Sequence, residues 1–139
     1  MLKPILIWFF RIVGVVMVAN GLWMLADALH WFYNIPAGVT DSGHPNGHFI
    51  RDVGLVYVIF GVASTWSSFA LVERRPVFLC VAAFMIGHAV AHVAEILVGT
   101  LPPSHWLLDL PAVLAPGALF AVFVYPRAWR WLVREGRIV

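Results

Sequence analysis

Charge is scarce in this sequence. Asp, Glu, Lys and Arg supply 12% of its 139 residues, about half the ~25% of an average soluble protein. A soluble chain of this size needs a polar shell that so few charges cannot build, so a soluble globular domain is excluded. Disorder is excluded as well, because 62% of the chain is hydrophobic and 14% is aromatic, the opposite of a disordered composition. Cysteine is almost absent. The single Cys80 cannot form an intrachain disulfide and says nothing about redox compartment. There is no paired CxxC, no CxxCH haem-attachment motif, no phosphate-binding loop and no GxSxG elbow. Internal repeats and low-complexity tracts are also missing. The net charge is only +2, and the basic residues flank apolar runs instead of sharing a soluble face, which argues against nucleic-acid binding.

What is present is long apolar runs. A membrane-crossing helix needs roughly 20 mostly apolar residues, and four stretches qualify, at about 4–29, 50–72, 76–98 and 106–125. Turn-forming or charged breaks separate them: Ile35-Pro36-Ala37-Gly38, His44-Pro45-Asn46-Gly47, Glu73-Arg74-Arg75-Pro76 and Gly99 to Ser104. The first run resembles a signal peptide in having Lys3 before it and Ala26-Asp27-Ala28 after it. At about 22 residues it is longer than the 7–15 of a signal core, so it is expected to be a retained span. The expectation is an all-α integral membrane four-helix bundle, one domain over residues 1–139.

Positive charge predicts orientation. Lys3, Arg11, Arg74, Arg75, Arg127, Arg130, Arg134 and Arg137 fall on one side, and only Arg51 on the other. Both termini are therefore expected in the cytoplasm. The tail Arg127–Arg134 is expected along the inner headgroups. Trp8, Tyr125, Trp129 and Trp131 suit the inner interface, and Trp31, Phe32, Tyr33 and Trp106 the outer one.

The six histidines then fall near or outward of the midplane. His88, His92 and Glu95 follow i, i+4, i+7 and share one face of the third helix. His48 and Asp52 are four apart at the head of the second, and Asp27 and His30 are three apart at the end of the first. Ionisable groups inside hydrocarbon are costly and usually have a partner and a role. An imidazole and carboxylate set suits copper, zinc or non-haem iron, not magnesium or calcium. The leading expectation is a transition-metal site, copper first, for redox chemistry or metal handling. His88, His92 and His48 would be ligands, and Asp52 or Glu95 a fourth ligand or an orienting partner.

Other readings stay open. His88, His92 and Glu95 also suit a polar network joining helices, or a proton or substrate path. A haem b or quinone-binding electron-transfer protein needs two histidines on different helices facing each other across the bundle, a pairing His88 and His48 make only if His48 lies deep enough. A non-enzymatic accessory subunit of a larger membrane complex, or a homo-oligomer, needs no cofactor at all. Around His44, His48 and Asp52, helix capping by Asn46 is the simpler role. Arg51 is expected to pair with Asp52, Glu95 or Asp27. His30 and His105 suit interfacial solvation. Asn20 suits interhelical bonding, and Gly14, Gly21, Gly54 and Gly61 permit close helix approach.

The segment Asn46-Gly47-His48-Phe49-Ile50-Arg51-Asp52-Val53-Gly54 resembles a motif of small bacterial four-span inner-membrane proteins of unassigned function. Their pattern is Gly-Pro-x-Asn-x-His-Phe-x-Arg-Asp-x-Gly after an aromatic-Pro-Gly-Val turn. Here His44 stands between Gly43 and Pro45. The resemblance covers about thirty residues directly, and the four-span plan is broadly similar to DoxX-like proteins. It implies a bacterial inner membrane and treats His48, Arg51 and Asp52 as a unit. It implies no activity.

Overall fold

In a hydrocarbon environment every backbone N–H and C=O must be satisfied within the chain, which favours helices. The computed structural model describes residues 2–134, and among them there is no strand. Arg137 and Glu135 lie outside the described residues.

Helix α1 (Leu2–Ala26) ends at Asp27, whose side chain caps a second short helix, α2 (Ala28–Asn34), by accepting from the backbone N–H of His30 at 3.0 Å. The first apolar run is therefore two helices, because an Asx side chain at this point competes with helical bonding. A single 3₁₀ turn, Val39–Ser42, follows. Helix α3 (Gly47–Ser67) starts where Asn46 accepts from the N–H groups of His48 and Phe49. It stops five residues short of the expected 72. There Ser67 and Ser68 hydroxyls bond the carbonyls of Ser64 and Thr65 and turn the chain. Helix α4 (Arg75–Val98) closes on Gly99, whose φ of 80° is the left-handed cap that glycine adopts without strain.

The fourth apolar run is the most broken. It consists of α5 (His105–Leu108), a π turn (Leu110–Leu114), α6 (Ala115–Val124) and α7 (Pro126–Val133). Pro111 and Pro116 carry no N–H, which disrupts a regular i→i−4 ladder. The carbonyl of Asp109 instead accepts from both Val113 and Leu114 at 2.9 Å. Pro126 then turns α7 by 88° from Leu110–Val124.

Helices α1, α3 and α4 are each long and apolar enough to cross a membrane, and the bent pair is a candidate fourth span. At 1.5 Å per residue the three extend roughly 31–37 Å, matching the ~30 Å hydrocarbon core. Ile12, Val16, Ile59, Val62 and Val90 are more than half exposed along their flanks. Water would penalise such a surface and lipid does not. The chain is a membrane protein with transmembrane helices.

Glycine sets the tightest contact. A Cβ on Gly61 would lie 2.6 Å from the Gly14 carbonyl oxygen, and one on Gly54 would lie 2.9 Å from that of Gly21. Both pairs are seven apart, so α1 and α3 touch backbone to backbone over two turns. On the other side, Gly117 of α6 sits against Ala89 and Met85 of α4. At the end that carries the basic residues, Phe10, Phe78 and Phe120 are all fully buried, with ring centroids 5.0–5.4 Å apart. This aromatic knot ties α1, α4 and α6 together. At the opposite end, Trp31 and Phe32 of α2 pack with Met24 and Ile50.

Candidate functional site

Along the exposed flank of α1, between it and the fourth run, lies an open cavity of about 910 Å³. Its long wall is apolar: Ile5, Trp8, Ile12 and Val16 of α1 face Val113 and Pro116 of the fourth run. Polar groups gather at the end away from the basic residues. There Tyr57, His88, His92, Glu95, His105 and Asp109 line it.

Helical spacing brings the α4 members together. His88 and His92 have ring centroids 4.6 Å apart, one turn from each other on the same face. Tyr57 reaches across from α3, its hydroxyl 2.9 Å from His88 Nε2. Phe84 lies parallel to the His88 ring, one turn earlier on α4. The imidazole is thus held from two sides.

Beside this pair is a buried carboxylate. Asp109 is 3% exposed, and a single oxygen, Oδ2, accepts from His92 Nδ1 at 2.8 Å and from His105 Nδ1 at 3.0 Å. Both rings therefore carry a proton on Nδ1 when these bonds form, which leaves His92 Nε2 free to face a ligand. His105 is 2% exposed, and its Nε2 lies 3.3 Å from Asp41 Oδ2 on the 3₁₀ turn. Asp41 itself is 43% exposed. The result is a continuous line of polar contacts, His92–Asp109–His105–Asp41, from the cavity to the surface. Within the described residues every buried side-chain N or O atom has a hydrogen-bond partner.

The expected metal ligands are divided. His88, His92 and Glu95 line the cavity. His48 and Asp52 do not; they pair with each other at 3.4 Å at the head of α3, with side chains 79% and 61% exposed. Among the described residues no three His, Cys, Asp or Glu side chains are grouped as a metal ion requires. Arg51 departs from expectation: its guanidinium donates to the Gly47 carbonyl, one turn back on its own helix. Interfacial solvation fails for His105, which is buried. His30 is exposed, and its Nδ1 accepts from Trp23 Nε1 at 3.1 Å. His44 is exposed. Asn20 accepts from Trp31 Nε1 at 2.7 Å, linking α1 to α2.

Sequence reasoning missed Tyr57, Asp109 and the burial of His105. Tyr57 offers no signal, being one aromatic in an apolar run. His105 and Asp109 do, since they are four apart, the spacing that singled out His48 and Asp52.

Comparison with known proteins matches no family model, no curated protein and no solved structure. The fold and the cavity define a helical membrane protein with a polar-ended cavity open along one flank.

Proposed function

We propose that this chain binds an amphipathic, membrane-soluble molecule with a hydrogen-bonding head, and that a quinone or quinol is the class that fits best. The observation that carries this reading is the cavity itself, largely apolar along α1 and polar at the end where Tyr57, His88, His92, Glu95, His105 and Asp109 gather. Binding sites for small molecules are mostly apolar, with a few placed polar groups that fix orientation. A quinone head presents two oxygens at opposite edges. With its Nδ1–H given to Asp109, His92 Nε2 is an acceptor and suits a quinol O–H; the Tyr57 hydroxyl, when it accepts from His88 Nε2–H, can donate to the other head oxygen; and the apolar wall suits an isoprenoid tail. Asp109 fixes the His92 tautomer and offers a proton route through His105. A haem b suits the site less well, because its two near histidines, His88 and His92, lie on one helix.

The setting we propose is a bacterial inner membrane, with four spans in a bundle and both termini cytoplasmic. The cation asymmetry and the motif around His48 support it. The exposed apolar flanks would meet lipid, a second copy or another membrane subunit.

The test is tryptophan quenching by a short-tailed benzoquinone, with the full chain in mild detergent. Saturable quenching that weakens in Tyr57→Phe and His92→Ala but persists in His48→Ala supports the reading. Quenching that is unsaturable, or equal in all variants, sinks it.

A second reading keeps the transition metal, copper first, then zinc or iron. The adjacency of His88 and His92, with Glu95 on the same face, favours it. Elemental analysis without an affinity His-tag decides it, with wild type beside a His88→Ala, His92→Ala double variant. Stoichiometric metal lost in the variant supports this reading, and no metal after loading removes it.

A further inference from the structure

A second pocket, of about 530 Å³, lies at the opposite end of the molecule and is lined by Lys3, Arg127, Arg130, Trp131 and Arg134. It shares no residue with the cavity. Helix α7 builds most of it. The 88° turn at Pro126 lays this helix across the end of the fourth run, the position an amphipathic helix takes when it lies along lipid headgroups. Trp129 and Leu132 are buried beneath it, Trp129 against Phe78 with centroids 5.1 Å apart. That anchoring leaves Arg127, Arg130 and Arg134 exposed on the other side of the same short helix. Lys3 closes the pocket from α1. Its ammonium donates to the carbonyl of Arg134 and lies 5.4 Å from the Trp131 ring centroid.

The other cations near this end are already engaged. Arg11 donates to Ser68 and stacks on Phe69 at 4.2 Å. Arg74 donates to the Trp66 carbonyl at 2.6 Å and covers the Trp66 ring. By contrast, among the described residues the guanidiniums of Arg127, Arg130 and Arg134 have no protein acceptor, and every carboxylate ion pair involves a histidine elsewhere. Four converging cations around an open pocket repel one another and attract an anion. Planar guanidiniums match the oxygens of a phosphate group in two-pronged bonds.

We propose that this pocket is a binding site for a phosphate group, presented by an anionic phospholipid headgroup or as free phosphate. The shared chemistry is the phosphate; position at headgroup level suits the lipid. The site stands independently of what the cavity binds.

Native mass spectrometry of the full chain in detergent tests it, with phosphatidic acid, phosphatidylglycerol or phosphatidylcholine added in turn. The variants are Arg127→Gln/Arg130→Gln, Lys3→Gln and, as a control of equal kind at the far end, Arg51→Gln. Losing two charge-assisted contacts should weaken retention of anionic lipid at least about tenfold. Arg51→Gln should leave it unchanged. A parallel titration with inorganic phosphate identifies the source: displacement of lipid by millimolar phosphate, or phosphate binding without lipid, assigns the free anion. Two results overturn the proposal. One is retention equal for phosphatidylcholine and the anionic lipids with no phosphate binding. The other is loss of binding in Arg51→Gln as large as in the α7 variant.

Discussion

His92 donates from Nδ1 to Asp109 at 2.8 Å, joining α4 to the start of the π turn. The bond matters because both partners face the cavity while the carboxylate is buried. A buried acceptor of this kind organises everything that leans on it.

Removing it should therefore cost stability. Asp109→Ala leaves the Nδ1–H groups of His92 and His105 without their acceptor, and His105 is buried. The expected loss is about 1–3 kcal/mol, read as a lower unfolding temperature in detergent. A change no larger than that of an exposed control would show the carboxylate to be dispensable.

Tyr57→Phe separates fold from ligand. The ring packing against Phe84 survives, and only the hydroxyl next to His88 is lost. Quinone affinity should fall about tenfold, the value of one good hydrogen bond in a dry site, with unfolding temperature moving little. Unchanged affinity would place the head elsewhere in the cavity.

His48→Ala should be silent. The side chain is exposed, and among the described residues its one ion-pair partner, Asp52, is exposed too. Exposed pairs contribute at most about 1 kcal/mol. Stability, ligand affinity and metal content are all measured on the same preparation; a loss of metal here would restore His48 as a ligand.

The α1–α3 contact should be intolerant of volume. Gly54→Leu places a side chain where even a Cβ would stand 2.8 Å from the Met24 Cβ. Overpacking of about 1–3 kcal/mol or more is expected, seen as broadened elution and early unfolding. Gly87→Leu is the matched control, since no atom of a neighbouring helix lies within 4 Å of its Cβ position.

Orientation can be read with a membrane-impermeant maleimide after Cys80→Ser. Ser42→Cys should react in intact cells, and Glu73→Cys only after permeabilisation, because both positions are exposed at opposite ends. The reverse pattern would invert the proposed topology.

Much of the site was legible one helix at a time. The i, i+4, i+7 pattern put His88, His92 and Glu95 on one face, and the structure lines the cavity with all three. The Asn46 cap and the glycine contact were legible too, because capping and close packing are local or periodic. Asp109 was harder. It sits in a proline-broken segment where no helical period holds, so its distance from His92 follows from how α4 and the fourth run meet.

The sequence by itself determined that this is an all-helical membrane chain, the bounds of α4 to within a residue, and which end is basic. Those properties follow from hydrophobicity, capping residues and charge, which act over one helix or less. Only the tertiary structure decided which polar residues meet. It moved His48 and Asp52 to the surface, buried His105, and brought Tyr57 to His88 from another helix. Such meetings depend on the rotation and depth of one helix against the next. Here Gly14, Gly21, Gly54 and Gly61 set those for α1 and α3, and the proline-broken fourth run sets them for α4.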